Sequence, residues 1–141
     1  MFVMGQKTKV LAVDDEQAFT HLLKLNLESR GLYEVRTENS AKNALQTAVE
    51  FEPDVVLLDV VMPELDGVDL IVAFRNHPKL EKTPVILITA LLESASQSRQ
   101  PTLAIPGGVE MFSKPVDLDA LREAIDRCAG RVPDGDEERT R

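Results

Sequence analysis

Four short stretches of the chain bring residues that could do chemistry together. "VLAVDDE" carries the paired acids Asp14 and Asp15, "VVLLD" delivers Asp59, "ILITA" presents the hydroxyl of Thr89, and "FSKP" brings Ser113 and Lys114. An Asp after an apolar run is by itself an ordinary turn residue, and a Lys-Pro pair is an ordinary loop. Several such residues arriving together are harder to explain that way. Carboxylates that converge repel one another, so a fold keeps them only with a compensating cation or a shifted protonation state. Lys114 supplies one positive charge and a hard dication could supply two more. Mg²⁺ suits a sparse carboxylate set, because it takes one or two protein carboxylates, keeps waters and binds phosphate oxygens. A site of this kind can handle phosphoryl groups: cations offset charge on the group in transfer and a carboxylate serves as nucleophile.

Convergence requires a fold that brings the ends of separate strands to one place. "KVLAVDD" reads as a short apolar strand, and Phe19, Leu22, Leu23 and Leu27 then fall at helical spacing, with Gly31 at the helix end. "LYEVRTE" alternates apolar with charged residues, as a half-buried edge strand does. "NSAKNALQTAVEFEPD" is a second helix with Asn39 or Ser40 as N-cap and Pro53 beyond its end. "VVLLD" is branched and apolar throughout, the pattern of a parallel strand covered on both faces. Gly67 permits the bend from the "MPELDG" turn into a third helix, "VDLIVAFRNHP", and a fourth strand, "TPVILITA", follows. Pro101 and Pro106 interrupt the stretch from Leu91 to Pro106, which leaves room for a short helix near Leu92 to Gln100. "GVEMFS" is a fifth strand, and "DLDALREAIDRCAG" a last helix with Asp117 as N-cap and Gly130 at its end. Strands alternating with helices predict an α/β, doubly wound parallel sheet with right-handed crossovers. Ligand sites of such sheets lie at the C-terminal ends of the strands, where the chemistry-bearing residues stand.

Composition narrows the function classes. The chain has 141 residues, 43% of them hydrophobic and 28% charged, which suits a soluble domain with its own core. Acidic residues outnumber basic ones by 24 to 16, giving a formal charge of -8 and no basic surface for direct nucleic acid binding. No apolar run is long enough to span a membrane, and "MFVMGQKTK" has no signal-peptide core, so a cytoplasmic location is expected. Cys128 is the single cysteine and reads as a small, half-buried residue of the last helix. His21 and His77 read as surface residues. Residues 1–7 are expected to be an N-terminal extension, 8–130 the domain, and 131–141 a disordered charged tail.

Together "VLAVDDE", "VVLLDVVMPELDG", "ILITA" and "SKP" resemble, in order and spacing, the response-regulator receiver domains of two-component signalling. The resemblance covers about Thr8 to Ala129. It implies a flavodoxin-like, three-layer (βα)5 sandwich with a five-stranded sheet in the order 2-1-3-4-5. It further implies that Asp59 is the phospho-acceptor for a sensor histidine kinase or a phosphotransfer protein. Asp14, Asp15, Asp59 and the backbone carbonyl of Val61 would hold Mg²⁺, Thr89 would be the switch hydroxyl, and Lys114, joined to Pro115 by a cis peptide bond, would bind a phosphoryl oxygen. Such a protein signals through a changed protein-binding surface to a downstream target, allows a homodimer, and catalyses only its own phosphoryl transfer and dephosphorylation.

The pattern departs from the family in three places. Met111 stands where the family usually has an aromatic switch partner, and Phe112, one residue out of step, should face the other side of the sheet. The interval from Thr89 to Lys114 is longer than usual, which implies an irregular helix and an altered partner surface there. Val61 and Leu91 are apolar where a polar group could place a hydrolytic water, which implies slow loss of the phosphoryl group. Two alternatives remain: a receiver-fold scaffold whose output is independent of phosphorylation, and a small Mg²⁺ phosphohydrolase. The latter, if haloacid-dehalogenase-like, would want a second Asp at the position of Val61.

Overall fold

The computed structural model describes residues 7–59, 67–89 and 110–130. Five strands form one parallel sheet: β1 (Thr8–Val13), β2 (Tyr33–Glu38), β3 (Val55–Leu58), β4 (Val85–Thr89) and β5 (Glu110–Ser113). Their order across the sheet is β2-β1-β3-β4-β5. Among the described residues four helices accompany them: α1 (Gln17–Glu28), α2 (Ala41–Phe51), α3 (Gly67–Arg75) and α4 (Leu118–Cys128). The doubly wound α/β fold and its strand order are as the sequence and the resemblance imply. The helix expected near Leu92 to Gln100, the turn after Asp59 and the tail from 131 lie outside the described residues, as does the N-terminal extension apart from Lys7.

Alternation along the strands builds the two cores. Leu11, Val13, Val56, Leu58, Val85 and Leu87 pack on one face against Ala44, Ala48 and Phe51 of α2 and Leu70, Ile71 and Phe74 of α3. Their neighbours Val10, Ala12, Val55, Leu57, Ile86 and Ile88 pack on the other face against Leu23 and Leu27 of α1 and Leu121, Ala124 and Ile125 of α4. Each Val, Leu, Ile or Phe among them contributes about 1.5–3 kcal/mol on burial, and slipping any central strand by one residue would exchange its two faces. β2 sits at the edge, with Tyr33 and Val35 buried and Glu34 and Arg36 exposed.

Helix ends follow local chemistry only in part. Asp117 caps α4, accepting from the N–H groups of Asp119 (3.0 Å) and Ala120 (3.3 Å). Gly31 and Gly130 take the positive φ that ends α1 and α4. Ser40 is the N-cap of α2 yet makes no side-chain capping bond, and α2 ends on Glu52 in the left-handed region (φ 56°) instead of on a glycine. Leu22, which falls at the spacing of the buried residues of α1, is 55% exposed. Cys128 is half-buried as expected, and burial pushes its thiol pKa up. His21 is exposed, whereas His77 is half-buried and its Nδ1 accepts from the Lys79 N–H at 3.1 Å.

Candidate phosphoryl and metal site

Two acids enter the site on adjacent central strands. The pairing Val13↔Leu58 puts β1 and β3 in step, so Asp14 and Asp59 follow as neighbours, and the Asp59 N–H donates to the Val13 carbonyl at 3.1 Å. Both are buried, at 2% and 6% exposure, while Asp15 is exposed. One carboxylate oxygen from each of Asp14, Asp15 and Asp59 lies within 4.8 Å of the others.

Lys114 comes to the same place from the loop after β5. Register carries it there, since Thr89 pairs with Ser113 at the ends of β4 and β5. Its Nζ stands 2.8 Å from Asp14 Oδ2, 2.9 Å from Glu16 Oε1 and 3.3 Å from Asp59 Oδ2. The Phe19 ring covers it from α1, with its centroid 4.4 Å away. The Lys114-Pro115 peptide bond is cis. Burial works against the ammonium, but Asp14, Glu16 and Asp59 outweigh it and hold the Lys114 pKa above its ordinary value. Thr89 occupies the end of β4, and its side chain, like all of Val61 and Leu91, lies outside the described residues.

Asp14 is the strained member of the group. Burial, reinforced by the charge of Asp59, raises its pKa from 3.8 to about 6, against the opposing pull of Lys114 and of the Glu16 N–H. That N–H donates to Asp14 Oδ1 at 2.9 Å. Asp14 Oδ2 is buried and has no hydrogen bond, because the nearby ammonium approaches off the direction that one requires. A buried carboxylate oxygen met by an ion pair without hydrogen-bond geometry, beside two further carboxylates, has room in its bonding for a hard cation, and the donor set fits Mg²⁺.

Residues beyond the expected set complete the site. Asn39 Nδ2 donates to the Asp14 carbonyl at 2.7 Å and to Thr20 Oγ1 at 2.9 Å, tying the start of α2 to the acidic loop. The sequence suggested Asn39 only as a helix cap. Glu16, not singled out in the sequence, is a third acid of the run "VDDE", and that continuation was its one visible signal. Met111 and Phe112 face opposite sides of the sheet, Met111 toward α2 and α3 and Phe112 toward α1 and α4. Beside Lys114 an apolar groove of about 360 Å³ is lined by Phe19, Leu22, Leu23, Pro115, Val116 and Leu118.

Residues 10–126 match the family model described as the response regulator receiver domain. The chain belongs to that family. Its relatives include the regulatory protein AtoC of Escherichia coli, 34% identical over 85% of this chain and 25% of that protein. An uncharacterized 14.6 kDa protein of Leptolyngbya boryana is 36% identical over 89% of this chain and 93% of that one. Among solved structures, the response regulator protein TrrA of Thermotoga maritima in complex with Mg(2+)-BeF has a TM-score of 0.69 and 30% identity, covering 86% of this chain and 98% of that one. The chain spans about a quarter to a half of the length of AtoC and of KdpE from Mycobacterium tuberculosis. Receiver domains are phosphorylation switches of two-component systems that work with histidine kinases or phosphotransfer proteins, and the acidic cluster here fits such a site. No helix among the described residues is long and apolar enough to cross a membrane.

Proposed function

We propose that this receiver domain accepts a phosphoryl group on Asp59 from a phosphohistidine of a sensor kinase or phosphotransfer protein. The observation that carries the reading is Asp59 itself: a buried carboxylate at the end of a central strand, within 4.8 Å of Asp14 and Asp15 and 3.3 Å from Lys114. An Asp59 oxygen attacks phosphorus, the histidine N–P bond breaks, and the electron pair stays on the imidazole nitrogen, which takes a proton. Lys114 takes up an oxygen of the incoming group and offsets its charge. Asp14, Asp15, Asp59 and the Val61 carbonyl would hold Mg²⁺, which when bound supplies charge neutralisation for the phosphoryl oxygens. Asn39 and the Glu16 N–H keep Asp14 oriented toward the cation. Thr89 would be the switch hydroxyl. The apolar groove beside Lys114 offers the donor protein a surface next to the reacting group.

Incubation with Mg²⁺ and acetyl phosphate should add the mass of one phosphoryl group to the protein. Asp59→Asn and chelation of the metal should each abolish the addition. An unmodified native protein, or an equally modified Asp59→Asn variant, would refute the reading. Met111 in the aromatic position favours a second reading, a scaffold insensitive to phosphorylation. That reading predicts the same partners for native and Asp59→Asn protein, with or without acetyl phosphate.

A further inference from the structure

The Lys114 ammonium has three protons and three carboxylates around it. Two of those carboxylates, Asp14 and Asp59, belong to the acidic cluster; the third, Glu16, does not. Its contact at 2.9 Å is shorter than the 3.3 Å from Lys114 to Asp59, so in this state the ammonium sits nearer Glu16 than the acceptor. Glu16 is also the N-cap of α1, a position where a side chain ordinarily accepts from the helix N–H groups, and it makes no such bond. Its carboxylate reaches across 98 residues of sequence to Lys114 instead. The Phe19 ring closes another side of the ammonium.

We propose that Glu16 is a positioning residue that competes with the phosphoryl group for the Lys114 ammonium. The inference rests on the acceptor role proposed for Asp59. A phosphoryl oxygen on Asp59 can be met by Lys114 only if one of its present partners is released. Asp14 and Asp59 side chains are almost wholly buried, at 3% and 7% exposure, whereas that of Glu16 is 62% exposed. Water can replace the ammonium at Glu16 and at neither of the others, so Glu16 is the partner that lets go. Its direct contact with the ammonium sets how readily Lys114 crosses to the phosphoryl group, and removing that contact favours the loaded state.

The test uses the full chain, Mg²⁺ and beryllofluoride, with binding followed by NMR of native protein, Glu16→Gln and Glu16→Asp. Glu16→Gln should bind beryllofluoride about two- to fivefold more tightly, the range that an exposed ion pair is worth. Glu16→Asp keeps the charge but is shorter by one bond of about 1.5 Å, loses the contact, and should follow Glu16→Gln. In metal-free protein both variants should shift the Lys114 ammonium resonance, assigned by its loss in Lys114→Arg. A merely structural role at the helix start would alter thermal stability and leave affinity and resonance alone. Unchanged affinity in Glu16→Gln overturns the proposal, and so does a Glu16→Asp variant that matches native protein while Glu16→Gln binds more tightly, since charge at a distance would then be enough. If native protein binds no beryllofluoride, the acceptor reading falls and this inference with it.

Discussion

Replacing Asp14 by Asn should make the metal-free protein more stable, although it removes a partner of Lys114. Asp14 is buried, and burial together with Asp59 raises its pKa to about 6 from 3.8. In the unfolded chain an Asp titrates near ~3.9. Between about pH 4 and 6 the folded protein therefore keeps a proton that the unfolded chain has lost, so native stability falls as pH rises through that window and then levels off. About two pKa units at 1.36 kcal/mol each set a ceiling of about 3 kcal/mol. Asn retains an Oδ1 acceptor for the Glu16 N–H but can turn an amide N–H toward the ammonium, which reduces the expected gain to about 1–2 kcal/mol at pH 7.5. The protein has no Trp, so urea unfolding followed by circular dichroism in EDTA is the assay. The gain should vanish near pH 4, where both proteins carry a neutral side chain. Added Mg²⁺ should reverse the order, stabilising native protein by mass action and the variant far less. A variant no more stable than native protein at pH 7.5, or a gain of equal size at both pH values, would refute the reasoning.

Glu28 accepts from the Val35 N–H and from Lys24 Nζ, both at 2.9 Å, and these outweigh the opposing effect of burial to hold its pKa low. Its charge therefore contributes stability above the unfolded pKa of about 4.3 and loses it as pH falls through the folded value. Glu28→Gln, a third exposed and still able to accept from Val35, should cost only about 0.5–1 kcal/mol at pH 7 and nothing at pH 2–3, measured by urea unfolding. Tyr33→Phe removes the hydroxyl that donates to Asp126 at 2.9 Å and ties the edge strand to α4, and thermal unfolding should register a loss of about 1 kcal/mol.

What could be read from the sequence and what could not divides along the range of the interactions. Strand parity is local: once "VVLL" is taken as doubly covered, the opposite facing of Met111 and Phe112 follows from a period of two, and the structure has it so. The positions of Asp14, Asp59 and Lys114 follow too, because register in a parallel sheet brings strand ends to one rim. Glu16 and Asn39 did not follow. Each looks like a local residue, an acid before a helix and an amide at a cap, and each is engaged by a partner distant in sequence, Lys114 and Thr20 respectively. Leu22 failed for a related reason. Helical spacing marks a face as apolar without saying whether protein covers it, and here that face opens into the groove beside Lys114.

The charges at the rim also constrain the order in which a receiver of this kind can be loaded. Asp14, Asp59 and Glu16 share the Lys114 ammonium, and Asp15 stands beside the first two, so the resting site is strongly negative before any phosphoryl group approaches. Burial, with a smaller contribution from the charge of Asp59, already draws Asp14 toward its neutral form. On the proposed reading, a group that brings two more negative charges meets repulsion until a dication has entered, and Lys114 cannot relieve it while shared among three carboxylates. The electrostatic instability of the empty site and its readiness to take a cation thus have one origin, the burial of Asp14 beside Asp59 at the ends of two paired strands.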